Sequence, residues 1–371
     1  MDLFVYGTLQ SRALMGAVAG GQVADTVTAA LDGYRIYPKK NDVVPLIAED
    51  RDQTARGVVY TNLDHAQMHR LNTYEGAFGY TLQKVCVETN SGPMTVSCYL
   101  PPSSIQAEDG QWSYEDWQIH HEAPAIFAAE ELFRHDPLPD LQALQQMWPM
   151  IEARAWANHR SGPSPTTQSY AAQKADMEIH MMRPPQGAFF RLQSIDVSHN
   201  RFQGGQSDRL TREVFSGVDA VIVLPYDPVR DKVLFVEQFR TGPLLRDDPN
   251  PWMMEAVAGM IDARETPDAA ALREVTEEAQ LSITHLEPAG AHYPSPGSST
   301  DYFYYYVGLC DLPMEAPYHG GLAEEGEDLR LHPMSFDDAM RLLNTGEIAT
   351  GPVYFLLYWL AYHRDRLRQM A

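Results

Sequence analysis

Three glutamates, Glu274, Glu277 and Glu278, stand at i, i+3 and i+4 in the run Arg273-Glu274-Val275-Thr276-Glu277-Glu278. On a helix this spacing puts them on one face, where like charges repel. Hard carboxylate oxygens gathered in this way suit Mg²⁺ or Mn²⁺, which relieve the repulsion and bridge phosphate oxygens. Three glutamates on a surface helix are ordinarily a solvated acidic face. Against that stand an apolar Ala269, Ala270, Leu272 and Val275 side, entry from a glycine loop at Gly259, and Glu265 returning from that loop. A second acidic stretch, Glu324-Glu325-Gly326-Glu327-Asp328, reads by itself as a solvated turn. Beside a metal-binding helix it becomes a loop whose carboxylate can close on substrate and take a proton. Near the start of the chain, Phe4-Val5-Tyr6-Gly7-Thr8-Leu9 ends a strand in a glycine turn whose amides can hold a carboxylate.

The elements that must carry these residues are legible in outline. Thr266-Pro267-Asp268 supplies a hydroxyl cap, a first-turn proline and an acid at the positive helix end, and predicts a helix over Asp268 to Ala279. Residues 218–224 and 232–236 read as strands across the turn Asp227-Pro228-Val229-Arg230-Asp231. Tyr302 to Leu309 is a further strand, and Phe336 to Asn344 and Tyr354 to Gln369 are helices. The first hundred residues are strand-rich, with Leu3–Tyr6 and a hairpin of Lys84–Glu88 and Met94–Leu100. From Gln111 to Asn158, Trp and Leu recur at helical steps, broken at His135-Asp136-Pro137, and signal packing. Ser161-Gly162-Pro163-Ser164-Pro165-Thr166-Thr167-Gln168 reads as a linker.

The chain has 371 residues, 44% hydrophobic and 21% charged, which suggests two or three globular domains. Its 28 basic and 50 acidic residues give a net charge of −22, unsuited to nucleic acid or an anionic membrane surface. A small anion is still admissible where a bound cation inverts the local field. Cys86, Cys98 and Cys310 fit no disulfide framework and are expected to be small buried hydrophobes. With no signal-like start and no apolar run of spanning length, a soluble, cytoplasmic protein is expected. The histidines, His120-His121 included, read as surface or packing residues.

The segment from Gly259 resembles the Nudix box, G-x5-E-x7-R-E-U-x-E-E-x-G-U with U a bulky aliphatic residue. It matches at Gly259, Glu265, Arg273, Glu274, Val275, Glu277, Glu278 and Leu281. Gln280 replaces the box glycine, implying about 1 kcal/mol of strain or a different helix cap. The flanking Val236-Glu237-Gln238-Phe239-Arg240, Val257-Ala258-Gly259-Met260, Ser295-Pro296-Gly297 and Leu322–Asp328 resemble the ADP-ribose pyrophosphatases, over about residues 185 to 368.

That resemblance implies hydrolysis of ADP-ribose, or a related nucleoside diphosphate sugar, to AMP and ribose 5-phosphate. It implies that the Ala258 carbonyl, Glu274, Glu278 and Glu327 hold two or three Mg²⁺ ions, with Glu277 a further ligand or supporting acid and Glu325 the general base. Arg240 would contact the diphosphate or adenine side. Arg212 and Phe189 would sandwich the adenine from a partner subunit, so a homodimer is implied; Phe189 reads equally well as core packing. Met260, Ser295, Gly297 and Asp301 would line the ribose side, Asp301 standing where glutamate is usual.

Tyr6-Gly7-Thr8-Leu9, Gly57-Val58-Val59-Tyr60, Leu71-Asn72-Thr73-Tyr74-Glu75-Gly76 and Tyr80 resemble the γ-glutamylcyclotransferase-like fold over about residues 1 to 105. The resemblance makes Glu75 a general acid/base and residues 6–9 the substrate turn; the alternative is a silent domain with Glu75 an ordinary turn residue. The fold expected is α+β in two domains. A mixed β-barrel with helices spans 1–105, a helical connector and linker 106–168, and a Nudix α/β/α sandwich with a mixed sheet 169–371. Two other functions stay open: a cyclotransferase with a regulatory Nudix half, and a non-catalytic ADP-ribose-binding module. Such fusions also resemble bacterial tellurite-resistance proteins, a label that names a phenotype and no chemistry.

Overall fold

A computed structural model describes residues 1–23, 25–313, 318–322 and 326–370. The chain divides into two compact units, Met1–Arg212 and Glu213–Ala371.

The first unit begins with β1 (Leu3–Val5), α1 (Arg12–Ala19), β2 (Thr26–Pro38), β3 (Pro45–Tyr60), α2 (His65–Ala77), β4 (Thr81–Thr89) and β5 (Gly92–Leu100). The strands close into a barrel in the order β1-β3-β2-β4-β5, with β1 parallel to β5 and the other pairs antiparallel. Period-two alternation divides β1 between two cores. Phe4 points into the barrel with Leu31, Val59 and Val96, whereas Leu3 and Val5 face the helices. Two further helices, α3 (Tyr114–Leu132) and α4 (Leu141–Arg160), bury Trp117, Leu132, Leu144 and Ile151 in that helical core. The segment that sequence places between two domains therefore packs on the barrel. After the linker come β6 (Met177–Met182), β7 (Arg191–His199) and β8 (Leu210–Ser216), a three-stranded sheet in that order.

The second unit carries β9 (Asp219–Asp227), β10 (Lys232–Phe239), α5 (Thr241–Leu245), β11 (Trp252–Glu255), β12 (Val257–Met260), α6 (Pro267–Ala279), β13 (His285–His292), β14 (Tyr302–Leu309), β15 (Tyr318–Gly320), β16 (Leu329–Ser335), α7 (Phe336–Thr345) and α8 (Gly351–Arg368). Its mixed sheet runs β13-β14-β9-β10-β16-β15, with β11 on β10 and β12 on β9; β14 and β9 are parallel. Both faces are covered, which is why β9 and β10 read as continuous apolar runs. Val221, Val223, Leu234 and Val236 pack beneath α6, while Leu224, Tyr226, Val233 and Phe235 pack against α7 and α8. This is the sandwich expected. Among the described residues no helix is long and apolar enough to cross a membrane.

Two local expectations are corrected. Cys98 and Cys310 are buried, but Cys86 on β4 is exposed, because it lies on the outer side of a two-sided strand. Ala269 and Leu272 are exposed; the buried stripe of α6 is Ala270, Ala271, Val275 and Ala279. Of the two readings of Glu75, the ordinary turn residue does not hold: Glu75 lies in α2, whose Asp64–Gln67 capping box starts the helix ten residues earlier.

Candidate active site

The carboxylate helix forms as its sequence dictates. The Thr266 side chain accepts a hydrogen bond from the Ala269 amide at 3.2 Å, Pro267 opens the first turn, and Asp268 takes the Tyr306 hydroxyl at 2.7 Å, tying α6 to β14. At the other end Gln280 adopts φ 55°, the left-handed geometry the box glycine would supply.

The geometry of α6 brings Glu274 and Glu278 against β12. Glu278 is almost wholly buried and accepts a hydrogen bond from the Ala258 amide at 3.2 Å. Gly259 is required next to it, since an added Cβ would collide with the Glu274 carboxylate. Arg273 organises the acids. Its Nε and Nη2 hold Glu265 at 3.0 and 2.9 Å, Nη2 also reaches the Met260 carbonyl at 3.0 Å, and Nη1 reaches Glu274 at 2.6 Å and Glu277 at 3.0 Å. Glu265 further caps the Asp262 amide at 3.2 Å. The sequence reading gave Arg273 no role; its place one residue before Glu274 and four before Glu277 was the available signal.

Electrostatics mark the cluster. Burial pushes Glu274 up to about 7, against the pull of Arg273 and with added repulsion from Glu277 and Glu327. Burial and the Glu274 charge push Glu278 up to about 8. Glu327 is half-buried, with its carboxylate on the Leu322 amide at 3.0 Å. Among the described residues no three His, Cys, Asp or Glu side chains already stand as a metal cage. The donor chemistry nonetheless fits a hard divalent cation: the carboxylates repel one another, and burial suppresses their ordinary acidity.

Other expected residues fall as follows. Arg240 pairs with Glu255 at 2.8 Å and lowers the proton affinity of Glu278 from a distance. Ser295 holds Ser298 at 2.8 Å in the exposed turn that carries Gly297. Asp301 is occupied by the Ser299 hydroxyl at 2.5 Å and lies flat against Gly217. Phe189 is 51% exposed and so is not core packing. Arg212 donates to the Thr211 carbonyl at 2.8 Å, and no contact joins it to Phe189 among the described residues. Glu325, the expected base, lies outside the described residues.

In the first unit, Tyr6, Gly7, Thr8, Leu9 and Glu75 do line one cavity, with Pro45, Tyr74, Tyr80 and Tyr99. Burial pushes Glu75 up to about 7. Tyr6 and Tyr80 give their hydroxyls to the Tyr99 and Pro45 carbonyls, each at 3.2 Å, and any side chain at Gly7 would meet Pro45 at 2.7 Å.

Comparison with known proteins agrees with both halves. Residues 3–119 match the family described as gamma-glutamyl cyclotransferase, AIG2-like, and residues 217–356 match the NUDIX domain. The ADP-ribose pyrophosphatase of Escherichia coli (strain K12) is 34% identical over 195 residues, 53% of this chain and 92% of that protein. The ADP-ribose pyrophosphatase of Haemophilus influenzae is 34% identical over 196 residues, 52% and 90% respectively. The GDP-mannose pyrophosphatase of Enterobacter sp. (strain 638) is 27% identical over 172 residues, 46% and 88%. The chain thus belongs, through its C-terminal half, to the ADP-ribose pyrophosphatase family of Nudix hydrolases, joined to an AIG2-like γ-glutamyl cyclotransferase domain.

Proposed function

We propose that the protein hydrolyses the pyrophosphate bond of ADP-ribose, or a related nucleoside diphosphate sugar, to AMP and a sugar phosphate, with Mg²⁺ as cofactor. The observation that carries this is the pair Glu274 and Glu278, buried side by side against Ala258 and Gly259 with Glu327 acting on both. The Ala258 carbonyl, Glu274, Glu278 and Glu327 would hold the ions. Bound there, Mg²⁺ supplies charge neutralisation at the diphosphate and a more acidic water. The chain's own residues do the rest. Arg273 keeps Glu274 and Glu265 in register, Arg240 meets the diphosphate side, and Met260, Ser295, Gly297 and Asp301 flank the ribose. Glu325 takes the proton from the water that attacks phosphorus. Phe189 and Arg212 enclose the adenine from a second copy of the chain. A homodimer through the sheet of β6–β8 is supported by β6, an edge strand exposed along its whole length, with Ile179 55% and Met181 48% exposed. Domain limits of 1–105, 106–168 and 169–371 are part of this reading.

AMP release from ADP-ribose with Mg²⁺ tests it, with Glu278→Gln and Glu325→Gln as controls. Turnover of both variants at the parental rate would overturn the assigned roles.

A second activity is favoured by Glu75, a carboxyl held up to about 7 in a cavity with the Tyr6–Leu9 turn. An acid poised near neutrality can relay a proton during intramolecular attack of an α-amine on a γ-glutamyl carbonyl, releasing 5-oxoproline. Release of 5-oxoproline by wild type and not by Glu75→Gln is the expected result.

A further inference from the structure

Residues 187–191 invert the usual distribution of polarity. Phe189 and Phe190 are 51% and 47% exposed, whereas Arg191 beside them is 1% exposed. The loop is closed at its base by reciprocal backbone hydrogen bonds between Gln186 and Leu192, at 3.1 and 2.8 Å. Gly187 turns it at φ 100°, where a side chain would strike the Phe190 carbonyl. Its remaining anchors are charged. Arg154 on α4 gives Nη1 to the Phe189 carbonyl at 3.0 Å. The rest of that guanidinium grips Glu131 on α3, with Nε at 3.0 and 3.2 Å and Nη2 at 2.8 Å. Glu131 also accepts from Arg191 Nη1, so one carboxylate holds two buried cations.

Such a cluster is a poor source of stability, since apolar side chains of similar volume serve as well. Among the described residues Arg191 Nε and Nη2 even find no hydrogen-bond partner. What the cluster does achieve is geometric. It fixes the main chain at Phe189, whose ring is 51% exposed and stands 4.8 Å from the Phe190 ring, at 89° to it. An aromatic ring on an anchored backbone can stack on a planar base without first being ordered, and ordering is a main penalty of binding.

We propose that Arg154, held by Glu131, is a positioning residue for nucleotide binding: it fixes the Phe189 carbonyl and so presents the Phe189 ring to the adenine. The identity of the base rests on the ADP-ribose reading above. The helices that carry Arg154 and Glu131 belong to the core packed on the barrel.

The test uses the full chain as wild type, Arg154→Met, Arg154→Lys, Phe189→Leu and the Arg154→Met/Phe189→Leu double variant. AMP binding is read by calorimetry, AMP release from ADP-ribose by steady-state kinetics, and loop order by hydrogen exchange over residues 186–192. Arg154→Met is expected to weaken AMP binding and raise KM about tenfold, with kcat held within about twofold. It should speed exchange in the loop and add nothing to Phe189→Leu. Arg154→Lys, which keeps one donor, should recover part of the loss and carries the comparison if Arg154→Met does not fold. Equal AMP affinity in wild type and Arg154→Met, a full additive loss in the double variant, or a wild type that binds no AMP would each overturn the inference. A wild type that binds AMP with the expected variant losses yet releases none from ADP-ribose supports the positioning and overturns the hydrolase reading.

Discussion

The Glu278 carboxylate accepts a hydrogen bond from the Ala258 amide at 3.2 Å, across twenty residues of chain. The bond joins α6 to β12 and places a side-chain ligand and a main-chain ligand of the proposed metal site within one contact. Glu278 could be assigned that role from its spacing on the helix, but Ala258 could not, being an unremarkable small residue on a four-residue strand.

Glu278→Gln preserves shape and a partner for that amide while removing the carboxyl that would ligate the cation. AMP release should fall at least about a hundredfold, because a ligand is lost and not merely its support. The thermal midpoint without added metal at neutral pH should not fall, since burial pushes the Glu278 carboxyl up to about 8 and an uncharged amide of the same shape replaces a largely protonated acid. Turnover near the wild-type rate would remove Glu278 from the site.

Arg273 makes four kinds of contact with Glu265, Glu274, Glu277 and the Met260 carbonyl, and burial is offset by those acids so that it remains strongly cationic. Lysine cannot reproduce a planar fork that serves several acceptors at once. Arg273→Lys should reduce stability by about 1–3 kcal/mol and AMP release by about 10–100-fold. Denaturant melts and kinetics check the two effects; a variant unchanged in both would mean that the acids hold their places without it.

The α6 helix was legible because its cap, its proline and its acids are all local signals. The barrel hairpin β4–β5 and strands β9, β10 and β14 were legible by alternation or by continuous apolar runs. The strands that complete the second sheet were not. β12 is only Val257–Met260, and β16 contains Pro333, a residue that argues against a paired strand, yet it registers opposite Leu234 on β10. Glu75 was singled out without its helix, since α2 has no clear apolar stripe to announce one. Glu131, Arg154 and Arg191 carried no signal at all: their ion pairs span 23 and 60 residues and depend on how α3, α4 and β7 pack.

Gln280 stands at φ 55° at the end of α6, a conformation that favours glycine. Its side chain is exposed, so little packing is lost on shortening it. Gln280→Gly should therefore stabilise the second unit by about 0.5–1 kcal/mol, even though glycine loosens the unfolded chain. A denaturant midpoint that moves downward would show that the glutamine side chain contributes more than its backbone strain removes.

The proton on Glu75 gives a stability profile with a definite sign. An unfolded glutamate titrates near 4.5, while burial raises the folded carboxyl to about 7. Between those values the folded chain keeps a proton that the unfolded chain releases, so stability falls as pH rises. The contribution is complete below pH 4.5 and is lost as pH passes about 7, an effect of about 3 kcal/mol. Glu75→Gln removes this one titration and leaves the others in place. Its stability relative to wild type should climb from pH 4.5 to 7 and then level off. Urea melts followed by tryptophan fluorescence can read it, since Trp112, Trp117, Trp148 and Trp156 lie on or beside α3 and α4 in the same unit. If the two proteins gave parallel profiles across that range, the carboxyl would titrate as it does in the unfolded chain, and its place as a neutral-pH acid/base in the Tyr6–Leu9 cavity would fall with it.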